Sequence, residues 1–172
     1  MRNWFYEQMA MYSAYHKDKR NQATHHVGVP MIVFSLLLAL TPVVLVSLPT
    51  GQNITLAMLV MGALLLVYLY CVPLIGLVAV VVYGLLTLAA NSLAASYADY
   101  LWPLFGVFFV GGWIIQLVGH VFEGRKPALM DNLLQIFMAP AFLIAEVFFL
   151  LNIAKAFQAD IQGRMPAYEK KT

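Results

Sequence analysis

Residues 101–118 read LWPLFGVFFVGGWIIQLV, eighteen positions without a single charged side chain, and the chain then continues Gly119-His120. Crossing a ~30 Å hydrocarbon core as a helix takes about 20 apolar residues. Three further stretches of this kind precede it: Met31–Leu48, Ile54–Val72 and Leu74–Ala95. A turn cluster (Pro49-Thr50-Gly51-Gln52-Asn53), Pro73 and the short polar link Ser96–Tyr100 separate them. A fifth apolar stretch, 133–157, is interrupted by Pro140 and Glu146 and reads as a re-entrant or interfacial helix, or as a pair broken around Pro140.

The composition agrees. Of 172 residues, 62% are hydrophobic and 10% charged, against about 45–50% and 25% in soluble domains. The expected fold is an all-α polytopic membrane helix bundle with four to five transmembrane segments, forming one domain. Its parts are an N-terminal interfacial histidine segment (1–30), four spans (31–118), a second histidine and acidic segment (119–132), the fifth apolar stretch (133–157) and a polar, frayed tail (158–172).

Residues 3–19 read as an amphipathic helix. Trp4, Phe5, Tyr6, Met9, Tyr12 and Tyr15 form an aromatic face suited to headgroup level. The N-terminus lacks the apolar core and small-residue site of a cleavable signal peptide. Cys71 is alone, so no internal disulfide is expected. A net charge of +2 without a basic, aromatic-interleaved patch speaks against nucleic acid as a partner.

All four histidines flank apolar runs: His16, His25 and His26 before the first, His120 after the fourth. Four crossings return the chain to its starting side, which places the four imidazoles at one depth. Lys and Arg concentrate on that side, with Arg2, Lys17, Lys19, Arg20, Arg125 and Lys126 there and none in the three short connections. By the positive-inside rule this end faces the cytoplasm, in a bacterial inner membrane or the endoplasmic reticulum. Lys155, Arg164, Lys170 and Lys171 in the tail prefer the same side, which argues against a fully crossing fifth segment.

A lone interfacial histidine is most simply a polar anchor. Four at one depth, with none elsewhere, point instead to a metal site of the imidazole kind that suits iron, zinc, copper or nickel. Asn21 and His25 lie one helical turn apart, and Gln116, His120 and Glu123 share a helical face. Asn21, Gln116 and Tyr15 are candidates for orienting the rings, and Glu123 either joins the site or pairs with Arg125 and Lys126. His26 is the weakest candidate, because neighbouring helical residues point about 100° apart. Glu146 is a charge inside an apolar run and so a functional candidate.

Two blocks carry a resemblance. They are Tyr15-His16-x4-Asn21-x3-His25-x2-Gly28-Val29-Pro30 and Gln116-x2-Gly119-His120-x-Phe122-Glu123-x3-Pro127-Ala128-Leu129. Together they resemble the membrane-bound 2-hydroxy fatty acid dioxygenases of fatty acid α-oxidation and phytosphingosine breakdown. The resemblance implies an Fe(II) cofactor held by His16, His25 and His120, with Glu123 at the family's acidic position and His26 at a variable one. It implies that a 2-hydroxy fatty acid and O2 give the one-carbon-shorter acid, CO2 and water, with Arg125 or Lys126 drawing the carboxylate in. The competing class is a non-enzymatic transporter or scaffold with a structural histidine metal site. A diiron hydroxylase, which needs about eight histidines, and a haem protein fit less well.

Overall fold

The computed structural model describes residues 1–169 as a helical bundle; Lys170 and Lys171 of the basic tail lie outside the described residues. Helix α1 (Arg2–Ala14) leads into α2 (Lys19–Leu40). A two-stranded antiparallel hairpin, β1 (Val44–Ser47) with β2 (Asn53–Thr55), follows. Then come α3 (Leu56–Cys71), α4 (Pro73–Ser96), α5 (Leu101–Glu123), α6 (Ala139–Leu150) and α7 (Lys155–Arg164). Helices α2, α4 and α5 are long and apolar enough to cross a membrane, whereas α3 is shorter at 16 residues. Leucines and valines such as Leu66, Leu85, Val107 and Ile114 stand exposed on the outer faces, as expected where lipid is the solvent.

The first span begins at Lys19 rather than Met31 and ends at Leu40 rather than Leu48. Asp18 caps it, accepting from the Arg20 N–H at 2.8 Å. The helix passes through Pro30, which lacks the N–H that would bond the carbonyl of residue 26; membrane helices tolerate such a gap. Past Leu40 the sequence Thr41-Pro42-Val43-Val44 cannot extend the helix ladder, and its β-branched residues turn into the hairpin, with Gly51 at φ 81° in the turn. Histidines 25 and 26 are thus inside a helix rather than ahead of one. The other spans match the apolar runs to within a few residues, and α5 continues to Glu123, where Gly124 at φ 62° forms a left-handed cap.

The fifth apolar stretch does not form one continuous helix. Leu133–Phe137 is a 3-10 turn, α6 starts with Pro140 in its first turn, and α6 and α7 meet at a 117° bend. The described tail is not frayed. Arg164 bridges Asp160 and Glu7, each at 2.6 Å, while Tyr168 donates to Glu7 at 2.8 Å, which fixes α7 and the following turn on α1. The aromatic face of α1 also departs from expectation: Phe5, Met9 and Tyr12 are buried against the bundle, and Trp4 is left exposed. Phe5 meets Tyr68 of α3 edge-on at 6.0 Å. Burying that face against α3 and α6 leaves a polar layer of α1 and α7 across one end of the bundle.

Candidate metal centre

The site depends on how closely α2 and α5 approach. A methyl group on Gly112 would stand 3.0 Å from the carbonyl oxygen of Gly28, and one on Gly119 would stand 2.5 Å from Asn21 Oδ1. Only glycine permits backbones this close, the small-residue packing used between membrane helices. The seam sets His25 of α2 beside His120 of α5, with ring centroids 5.0 Å apart. His16, in the link between α1 and α2, completes a triangle, 4.5 Å from His25 and 5.1 Å from His120. All three are buried, and one ligand nitrogen from each lies within 4.8 Å of the others.

Hydrogen bonds fix which nitrogens are available. His16 Nδ1 donates to the Tyr12 carbonyl at 2.7 Å, and His25 Nδ1 donates to the Asn21 carbonyl at 2.9 Å. A carbonyl only accepts, so both rings carry their proton on Nδ1 and present a bare Nε2. Those two Nε2 atoms face each other at 3.2 Å, with no hydrogen between them. Two nitrogens bound to one ion at ~2.0–2.1 Å stand about 2.9–3.4 Å apart, so the pair matches a shared metal and fits no hydrogen bond. His120 adds a buried Nδ1 without a partner. Burial, and secondarily His25, holds the His16 pKa well below 6.5, which keeps the ring in the neutral form that binds metals. Tyr12 stacks on His16 at 4.0 Å and 10°.

Glu123 is an anchor beside the centre. It accepts from the backbone N–H groups of Lys17 at 3.0 Å and Asp18 at 2.9 Å, and from Asn21 Nδ2 at 3.0 Å. The carboxylate therefore ties the end of α5 to the link that carries His16, and it makes no ion pair with Arg125 or Lys126. Arg125 donates to the carbonyls of Ala14 and Tyr168 and lies over the Tyr15 ring at 3.2 Å. Lys126 pairs with Asp131, which also accepts from the Tyr15 hydroxyl at 2.6 Å. Both cations and Tyr15 thus hold the surface layer together. His26 stands apart from the triad and faces Glu146 of α6 at 3.2 Å.

A cleft of about 350 Å³ opens from the histidines. Its polar end holds His16, His25, His120, Tyr12 and Gln116, and Gln135 lines the same cleft. The remainder is apolar, with Val29, Ile32, Leu36 and Leu40 of α2 facing Val60, Met61 and Leu64 of α3, and Trp113 of α5 alongside. From His25 to Leu40 it follows fifteen helical residues, or about 22 Å. The sequence reading missed Tyr12 and Gln135. Tyr12 precedes His16 by one helical turn, a signal that was present; Gln135 lies in an irregular segment that gives no periodic clue.

The family model for the 2-hydroxy-palmitic acid dioxygenase Mpo1-like proteins matches residues 2–151. The 2-hydroxy-palmitic acid dioxygenase MPO1 of Saccharomyces cerevisiae is 35% identical over 161 residues, covering 90% of this chain and 86% of the yeast protein. No solved structure matches. The matched region contains all three clustered histidines and both helices of the glycine seam, and the chain belongs to the Mpo1-like family.

Proposed function

We propose that this protein is an Fe(II)-dependent dioxygenase that converts 2-hydroxy fatty acids to the one-carbon-shorter acid with release of CO2. The observation that carries the reading is the placement of three buried histidines at the one polar end of an otherwise apolar cleft. An amphiphile with an acidic head and a long tail has that same polarity. The reaction balances without another reductant: R–CH(OH)–COOH and O2 give R–COOH, CO2 and H2O, and the substrate supplies all four electrons.

His16, His25 and His120 are the ligands, and Asn21 and Tyr12 orient two of the rings through their backbone carbonyls. Iron held by the three histidines would supply Lewis acidity and a template for the acid and O2. The chain contributes alignment and dryness. Val29, Ile32 and the residues beyond them hold the tail so that only C1 and C2 reach the histidines. The α1 and α7 layer covers the polar end. Each methylene that leaves water for the cleft contributes about 0.8 kcal/mol, although a chain arriving from the bilayer gains less. The basic residues gather at the histidine end, which supports a cytoplasm-facing site.

The test is to purify the protein in detergent, measure its metals by elemental analysis, and supply 2-hydroxypalmitate with Fe(II) in air. Pentadecanoic acid with matching oxygen uptake is the expected result. Metal without product would favour a structural histidine site in a non-enzymatic protein.

A further inference from the structure

Gln135 is 1% exposed, lines the same cleft as the histidines, and has a side-chain oxygen with no hydrogen-bond partner. Its orientation follows from a chain of amides. Asn132 Oδ1 accepts from the backbone N–H of Leu134 at 3.0 Å, so the other end of that side chain is the amide nitrogen. That nitrogen donates to Gln8 at 2.6 Å, which makes the receiving atom of Gln8 its oxygen. The same oxygen accepts from Gln135 Nε2 at 2.8 Å. Every step is fixed by a backbone donor at its origin, and the result leaves Gln135 Oε1 turned away from Gln8 with nothing to accept.

A buried acceptor without a donor is costly, about 1–3 kcal/mol, and it persists where a ligand supplies the missing group. A fatty acid carboxylate offers only acceptors. A 2-hydroxy acid adds one donor, its hydroxyl. We infer that Gln135 Oε1 accepts the hydrogen bond of the substrate's 2-hydroxyl and selects hydroxylated acids over plain fatty acids; this rests on the function proposed above. The amide chain from α1 through Asn132 is the device that keeps the oxygen, rather than the nitrogen, available. Gln135 is on this account a positioning and specificity residue. A site built around a substrate hydroxyl rejects analogues that lack it more sharply than an apolar pocket rejects a missing methylene.

The test is competition binding in detergent, with 2-hydroxypalmitate and palmitate displacing a fluorescent fatty acid, alongside turnover. Wild type should prefer the hydroxylated acid by about tenfold. Gln135→Met, similar in length and without an acceptor, should bind 2-hydroxypalmitate several-fold more weakly and so narrow the preference over palmitate. Gln8→Met leaves Gln135 in place but unlocks its amide, and should lower the preference without abolishing it, which guards against a misfolded first variant. An unchanged preference in either variant that folds overturns the role of Gln135. So does a wild type that turns over 2-hydroxypalmitate yet binds the two acids alike. A wild type with neither turnover nor preference overturns the dioxygenase reading as well.

Discussion

Replacing Gly119 with alanine tests whether the spacing of α2 and α5 sets the metal centre. The new methyl group would overlap Thr24 Oγ1 and stand 2.5 Å from Asn21 Oδ1 and 3.2 Å from Thr24 Cβ. Thr24 can rotate its hydroxyl away, at the loss of its 2.7 Å bond to the Asn21 carbonyl. Asn21 has less freedom, because its Nδ2 is held by Glu123 at 3.0 Å. Relief then requires either breaking that bond or parting the helices by most of an ångström. Overpacking of this kind costs about 1–3 kcal/mol, and a displacement near 1 Å at a reacting centre costs about a hundredfold in rate. His120 is the next residue along, so it moves with the helix. The assay compares metal per protein, oxygen uptake and thermal midpoint in detergent with those of Gly84→Ala, where an added Cβ meets nothing within 4 Å. Gly84→Ala should be silent or up to about 1 kcal/mol more stable. Wild-type metal content and turnover in Gly119→Ala would refute the idea that this seam positions the ligands.

Other outcomes follow from the same geometry. Alanine at His16, His25 or His120 should abolish bound metal and turnover in a folded protein, whereas His26→Ala should retain both, as elemental analysis of each variant will show. Glu123→Gln keeps one acceptor of the clamp but loses its charge, and should lower stability by about 1–3 kcal/mol and weaken metal retention, measured by chelator challenge. Burial holds His16 below its ordinary 6.5. The metal-free protein should therefore be fully stabilised above pH 6.5 and lose stability as the pH falls from there towards the folded-state pKa, where the unfolded chain takes up a proton that the buried ring refuses. Denaturation midpoints across pH 5–8 check the direction. Val60→Trp narrows the apolar end of the cleft and should shift turnover towards shorter 2-hydroxy acids, read from a chain-length series.

The spans were legible because lipid-facing helices need long uncharged runs, and α3, α4 and α5 each fall near the run that announced them. Counting crossings put His120 on the side that holds His16, His25 and His26, but only the packing of α2 against α5 selects His16, His25 and His120 as the cluster and leaves His26 outside it. The first span was misplaced because hydropathy does not register the Asp18 cap or a helix that continues through Pro30. Hydropathy also cannot separate a lipid-facing aromatic stripe from one buried by protein, so the α1 face was assigned to headgroups when Phe5 and Tyr12 pack inwards. The roles of Glu123 and Arg125 were beyond sequence because they depend on partners about a hundred residues away, such as the Lys17 N–H and the Ala14 carbonyl.

The three clustered histidines also constrain how the site can be made. His16 and His25 are synthesised early, but the helix of His120 follows a hairpin and two further apolar helices, α3 and α4, and the seam that seats it requires α5 to be inserted against α2. A ribosome-bound fragment ending before α5 presents only two of the three clustered imidazoles, His16 and His25. On the proposed assignment, metal loading has to wait until α5 is seated against α2, and a chain stalled before that point leaves no complete centre to react with oxygen.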